Sequence, residues 1–288
     1  YATGRLDLTR AERLLTGAVT PRAGDLVLAR VQRLGHHRKL ESPEGRRQTL
    51  YAGDLILVCY GARYASDQFE ALLPDSLAPC NLVAAGGLAA ACNLKHAAAR
   101  KPTEIEPLGL VTDAEGRVLN LADAAEARSK VTTQRPYTLA VVGTSMNAGK
   151  TTTVAAMIRG LAKSGLKVGA AKITGTGAGC DRWAMVDAGA EVVMDFTDFG
   201  HASTYKVPIA ETASILEASI AALGREGCDV IVVELADGLL FSETAELVEH
   251  PRFSQLVSGL VLAAADSMSA SYGAGWLVSR DLPLLALA

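Results

Sequence analysis

No stretch of this 288-residue chain approaches the ~18 consecutive apolar residues that a membrane-spanning helix requires, so no membrane partner is expected. Nor does a charged-then-apolar leader open it, although its first residue is Tyr1 and not Met; the expected compartment is cytoplasmic. Cysteines are few. The five (Cys59, Cys80, Cys92, Cys180, Cys228) form no Cys-x-x-Cys and are odd in number, which argues against a disulfide framework and for a reducing compartment. Cys80, Cys92 and His96 match the spacing of no zinc module and are expected to be two buried thiols and an unrelated histidine. A strong excess of charge is missing too: the net charge of −3 gives no ground for global attraction to nucleic acid or membrane. What is present, 49% hydrophobic and 20% charged residues, suits a well-buried globular protein of about two domains.

The two halves differ in kind. In residues 1–121 one phrase occurs twice, AGDLVLARV from Ala23 and AGDLILVCY from Ala52. Each reads as a Gly-Asp turn followed by a strand of β-branched and aliphatic residues. Shorter runs at 82–87 and 107–111 extend the pattern to a small β-rich, barrel-like domain, two copies being too few to define a repeat architecture. Between the two phrases, residues 30–47 carry Arg30, Arg33, Arg38, Lys39, Arg46 and Arg47 against Glu41 and Glu44. This is either a loop for an anionic partner such as a phosphate or RNA, or a solvated hairpin tip; without interleaved aromatic residues to stack bases, the tip is the expected reading and a nucleic-acid partner is not expected. Residues 122–136, polar and alanine-rich and ending in Pro136, read as a short helix and linker.

From 137 to 288 the pattern becomes one of apolar runs of strand length (138–142, 166–171, 191–196, 229–235, 260–265, 283–288), with helical stretches between several of them. Runs that are apolar throughout predict strands buried on both faces, hence an α/β domain with a parallel sheet and helices on both faces. Because the chain stops on the last run, a further helix is expected beyond it.

VVGTSMNAGKTTT, residues 141–153, lies between the first such strand and a helix expected from about Lys150. A phosphate loop must follow a strand, turn sharply, and aim backbone N–H groups and a helix N-terminus at the phosphates. Lys150 then reaches the β and γ phosphates and the Thr151 hydroxyl takes Mg²⁺. The loop departs from the usual pattern at one place, Thr144, which stands in the first glycine slot with Gly143 one residue early. Gly143, Thr144, Ser145, Met146, Asn147, Ala148, Gly149, Lys150, Thr151 and Thr152 are therefore the expected phosphate-binding set. Glu234, closing a buried strand, is the expected metal carboxylate, with Asp237 as a second candidate or a simple turn residue. Lys172 is either a catalytic ammonium or an exposed strand-end lysine. Asp181 is either a metal ligand or the N-cap of the helix after it. His201, in the hydroxyl-rich 197–205 stretch, is a weak candidate for substrate contact.

Gly-Thr, four residues, then Gly-Lys-Thr resembles the loop of dethiobiotin synthetase and of the related molybdenum-cofactor accessory NTPases. AAKITGTG (170–177) is similar to the second-strand lysine and small-residue loop of dethiobiotin synthetase, and VVELADG (232–238) to its acidic strand end. The lysine that marks the ParA and MinD branch is absent, Ser145 occupying its place. The resemblance covers about 137–288 and implies an ATP- and Mg²⁺-dependent ligase- or kinase-like enzyme acting on a small acid. Lys150 and Lys172 would carry the chemistry, with Thr151, Glu234 and Asp181 around the metal. The first half is no part of that family. No Asn/Thr-Lys-x-Asp segment for guanine is present, Asn93-Leu94-Lys95-His96 lacking the Asp, which favours ATP over GTP. Two other functions stay open: a nucleotide-driven switch or accessory ATPase whose β-rich domain binds a macromolecule, and a fold that binds a CoA-type ligand for acyl transfer. Homo-oligomerisation is left open as well.

Overall fold

The computed structural model describes residues 1–125 and 136–288. It divides into two compact units, one of Tyr1–Ala127 with Thr176–Gly179 and Phe196–Tyr205, the other of Arg128–Gly175, Cys180–Asp195 and Lys206–Ala288. The expected linker, 122–136, is described only at its ends: Ala122–Ala125 form a short helix, α1, and 126–135 lie outside the described residues.

The first unit holds β1 (Arg13–Leu15), β2 (Leu26–Arg33), β3 (Lys39–Glu41), β4 (Arg47–Thr49), β5 (Leu55–Tyr60), β6 (Arg63–Tyr64), β7 (Phe69–Leu72), β8 (Cys80–Ala84), β9 (Leu88–Lys95) and β10 (Thr103–Thr112). Its main sheet runs β1-β10-β2-β5-β9-β7-β6, and β8 pairs with both β10 and β9. The circuit β10-β2-β5-β9-β8 thus returns to β10, closing a small barrel, as the β-rich pattern predicts. The repeated phrase makes the same turn twice. Gly24 and Gly53 both adopt left-handed backbone (φ 85° and 94°), and Asp25 and Asp54 each accept from the backbone N–H three residues earlier, at 2.8 Å. The strands that follow, β2 and β5, pair with each other, antiparallel. β5 and the first four residues of β2 are continuously apolar because successive residues enter different cores. Leu26 and Cys59 join one cluster, while Val27, Ala29, Ile56 and Val58 join the other.

The basic stretch 30–47 is not one loop. Arg30 and Arg33 lie on β2 and pair with Glu106 and Glu104 on β10, while β3 and β4 form a hairpin in which Arg47 pairs with the buried Glu41 at 3.1 Å. Half of its six cations therefore already have carboxylate partners.

In the second unit, β11 (Tyr137–Gly143), β12 (Val168–Lys172), β13 (Val192–Asp195), β14 (Val230–Glu234), β15 (Gly259–Ala263) and β16 (Leu284–Leu287) form one parallel sheet in the order β13-β12-β14-β11-β15-β16. The helices are α2 (Lys150–Lys163), α3 (Gly179–Ala188), α4 (Ile209–Arg225), α5 (Ser242–Glu249), α6 (Pro251–Leu256) and α7 (Ser267–Val278), α3 taking its first residue from the first unit. All five residues of β14 are buried, which is why its sequence shows no alternation. Helix α2 buries Lys150, Val154 and Ile158, one stripe at four-residue spacing. Each fully buried aliphatic of that stripe contributes about 1.5–3 kcal/mol. Gly165, left-handed at φ 87°, ends α2 as a glycine past a helix C-terminus should, its N–H donating to Ala162 O at 3.0 Å.

Candidate functional site

The strand order reverses at β11: the chain leaves it toward β12 on one side and later reaches β15 on the other. In open parallel sheets, ligands bind at the carboxyl end of the strands beside such a point. Residues 144–149 emerge there and lead into α2. The loop is tied to the neighbouring strand by Thr144 N–H, which donates to Ala263 O at 2.9 Å. Two of its residues need left-handed backbone, Asn147 (φ 63°) and Gly149 (φ 97°). Thr144 does not, so a threonine is tolerated in the usual glycine slot. The glycine that cannot be replaced is Gly143, where a Cβ would fall 2.8 Å from both Cγ and Cδ of Lys150. The lysine stem lies across the end of β11.

Helix α2 has no side-chain cap, Gly149 standing at its N-cap. Its first-turn N–H groups therefore keep no side-chain partner, and they carry the positive end of the helix dipole. Lys150, 7% exposed, donates to Ser145 O at 2.9 Å. Burial pushes its pKa down, opposed by the charges of Glu234 and Asp237, while Lys172 adds to the lowering. A buried ammonium held on a backbone carbonyl is suited to exchange that carbonyl for a phosphate.

The Thr151 hydroxyl donates to Glu234 Oε1 at 3.0 Å and lies 3.4 Å from Asp181 Oδ1. Asp181 also pairs with Lys172. Lys172 ends β12 directly beside Glu234 and Asp195 in the register of the sheet. Asp181 is the third residue of α3 and not its N-cap, so the capping alternative is set aside. Lys172 is not an exposed strand end, since its side chain is 13% exposed. Glu234 is 2% exposed, and its Oε2 has no hydrogen-bond partner among the described residues. Among those residues no group of three His, Cys, Asp or Glu side chains is placed to hold a metal. Of the two thiols expected to be buried, Cys80 is buried but Cys92 is only half-buried, near the outer end of β9. Two carboxylates and a hydroxyl, one carboxylate oxygen being buried and unsatisfied, do fit Mg²⁺, which keeps several of its waters.

Sequence reasoning missed Gly238 as a site residue. A Cβ there would sit 2.9 Å from Thr144 O and 3.1 Å from Ser145 Cα, so this backbone lies directly on the loop. The only signal was the ADG turn. Ser145, Met146, Ala148 and Thr152 complete the loop and the first turn of α2. His201 belongs to the first unit.

Residues 138–236 match the family model of MobB, molybdopterin guanine dinucleotide synthesis protein B. The match spans the loop, Lys172, Asp181 and Glu234. This part of the chain is similar to a P-loop NTPase domain. No curated protein matches the chain. Among solved structures it is similar to the signal recognition particle receptor FtsY from Elizabethkingia anophelis (17% identity, 60% of each chain covered, TM-score 0.38). Another is the kinase domain of Escherichia coli tyrosine kinase ETK (13% identity, 54% of this chain and 68% of that one, TM-score 0.37). A third is the signal recognition particle 54 kDa protein from Aeropyrum pernix K1 in complex with GDP (15% identity, 58% and 46%, TM-score 0.35). The chain thus covers less than two thirds of FtsY and of the 54 kDa protein. No helix among the described residues is long and apolar enough to cross a membrane.

Proposed function

We propose that the P-loop domain binds Mg-ATP and transfers its terminal phosphoryl group to a small acidic metabolite, or uses it to activate one, in the manner of dethiobiotin synthetase. The observation that carries this reading is the convergence on Thr151: a phosphate-loop hydroxyl faces Glu234 and Asp181, Lys172 pairs with that Asp181, and Lys150 immediately precedes the threonine. Thr151, Glu234 and Asp181 would hold the magnesium, which supplies charge neutralisation at the phosphates when bound. Lys150 and the first-turn N–H groups of α2 bind phosphates that are already fully charged. Lys172 serves charge that develops during transfer, once its tie to Asp181 loosens. ATP is preferred to GTP because the sequence has no guanine-reading segment, so both nucleotides belong in every assay.

A second reading consistent with the MobB match is a nucleotide-driven switch or accessory ATPase that binds a macromolecular partner. The two readings separate on whether nucleotide consumption is stimulated by small acids or by a macromolecule.

Glu234→Gln keeps the shape of the side chain and removes one charge. Nucleotide affinity in Mg²⁺ should fall by about 10- to 100-fold, with turnover falling alongside it, and affinity in EDTA should be unchanged. Equal Mg²⁺ dependence in the variant and the wild type would contradict the reading.

A further inference from the structure

One cation of the first unit is buried among neutral groups. Arg63, on β6, is 8% exposed, and among the described residues no carboxylate pairs with it. Its Nη1 donates to Val83 O and its Nη2 to the Gln68 amide oxygen, the latter at 2.8 Å. Nε is shut off from solvent and has no hydrogen-bond partner among the described residues. His37 Nε2 lies 2.7 Å from the same Val83 O and 2.9 Å from Nη1. A carbonyl oxygen has two lone pairs, so we assign His37 the neutral Nε2–H form, donating to Val83 O alongside the guanidinium. Burial, and then the Arg63 charge, push the His37 pKa down to about 3, in keeping with a neutral ring. Burial also pushes Arg63 down to about 10; Asp67 opposes this through space, but it is exposed and makes no ion pair with the guanidinium.

The backbone around Arg63 is held firmly. Ala65 N–H donates to Phe69 O (2.8 Å), Gln68 N–H to Ala65 O (3.0 Å) and His96 N–H to Gln68 O (2.9 Å), so Gln68 is fixed in its main chain while its half-buried side chain can turn. His36 N–H donates to Lys101 O (2.8 Å) and Gly35 N–H to Thr103 Oγ1 (2.9 Å), and a Cβ on Gly35 would collide with Lys101 O. The rings of His36, His37 and Phe69 meet edge to face, with centroids 4.9, 5.3 and 5.9 Å apart. We propose that Arg63 anchors a site for a small carboxylate in the β-barrel, whose two oxygens accept from Nη2, in place of the Gln68 amide, and from Nε. These two nitrogens form the flat edge of the guanidinium that matches a carboxylate bidentately. One of them is held by a neutral amide and the other by nothing. A charged donor kept from water without an acceptor is costly, and a carboxylate supplies both the missing acceptor and the missing charge. A single guanidinium among neutral rings balances one negative charge and not the two of a phosphate monoester. The site lies wholly within the first unit and rests on no reading of the phosphate loop.

The probe is acetate, titrated into the full chain at constant ionic strength against sodium chloride and, separately, inorganic phosphate. Arginine Nε–H signals are followed by NMR, with that of Arg63 assigned through its own backbone. The Arg63 signal should move and saturate with acetate, stay still in chloride, and respond to phosphate only at higher concentration. Gln68→Ala removes the competing amide from a half-buried side chain, so the protein should fold and bind acetate about 2- to 10-fold more tightly. Arg63→Lys keeps the charge and loses the flat edge, so acetate should raise the unfolding temperature of wild type and of Gln68→Ala but not of Arg63→Lys. If Arg63→Lys does not fold, the Gln68→Ala titration decides alone. A wild-type signal that does not saturate with acetate, or that moves equally in chloride, overturns the proposal. Acetate binding that is unchanged or weaker in Gln68→Ala overturns it as well, since the amide then holds no ligand position. Tighter binding of phosphate than of acetate overturns the assignment to a carboxylate.

Discussion

Gly143 and Thr144 show how the loop accommodates its unusual first turn. The end of β11 must be bare because Lys150 lies across it, whereas position 144 adopts ordinary backbone that any L-residue accepts. That much was legible, since strand, glycine, lysine and helix follow one another in sequence. The setting of Lys172 was not. Its partner Asp181 lies nine residues on, beyond a three-glycine loop, and only the folded chain brings them together. Lys172→Met keeps the apolar stem and removes the ammonium. Nucleotide affinity should change little while single-turnover consumption falls about 10²-fold or more, as the proposed role of the lysine in meeting developing charge requires. A variant as fast as wild type would reduce Lys172 to the structural partner of Asp181.

At the scale of elements, continuous apolar runs marked β11 to β16 because burial on both faces removes alternation. The two Gly-Asp phrases marked β2 and β5 because their turn chemistry is local. Closure of the barrel was less legible: β8 pairs with β10 and β9 at once, a long-range choice that its five residues do not encode. The basic stretch was legible in part: residues 39–49 do form a hairpin, but Arg30 and Arg33 lie on β2 and find Glu106 and Glu104 more than seventy residues away. The segment after β14 is the clearest case, because a dipeptide that reads as a turn proves to be packed on the phosphate loop. Gly238→Ala places a methyl group against the Thr144 carbonyl, a backbone atom that cannot rotate aside. Such overpacking costs about 1–3 kcal/mol. Nucleotide affinity should fall at least about tenfold, with the fold retained by circular dichroism. Unchanged affinity would show that the loop does not depend on this contact.

For the whole molecule, continuous limits at 1–121, 122–136 and 137–288 were the natural reading, because composition changes there. Compactness follows packing and not chain order, and two segments from the second half, Thr176–Gly179 and Phe196–Tyr205, group with the barrel. Local contacts inside that unit account for this. Gly86 tolerates no Cβ against Gly177, Gly179 N–H donates to Glu41 Oε2 at 2.7 Å, and Arg5 pairs with the buried Asp198. None of these partners is close in sequence, and no pattern of hydrophobicity announces them. Every role proposed for the site requires the P-loop domain to bind a magnesium nucleotide through Lys150. Calorimetry of Mg-ATP and Mg-GTP against the full chain and its Lys150→Ala variant tests this most directly, with circular dichroism confirming that both are folded. Wild type should bind, and the variant should lose about 10²-fold or more in affinity, since a buried ammonium beside the phosphates is gone. A folded Lys150→Ala protein that binds as tightly as wild type would contradict the account.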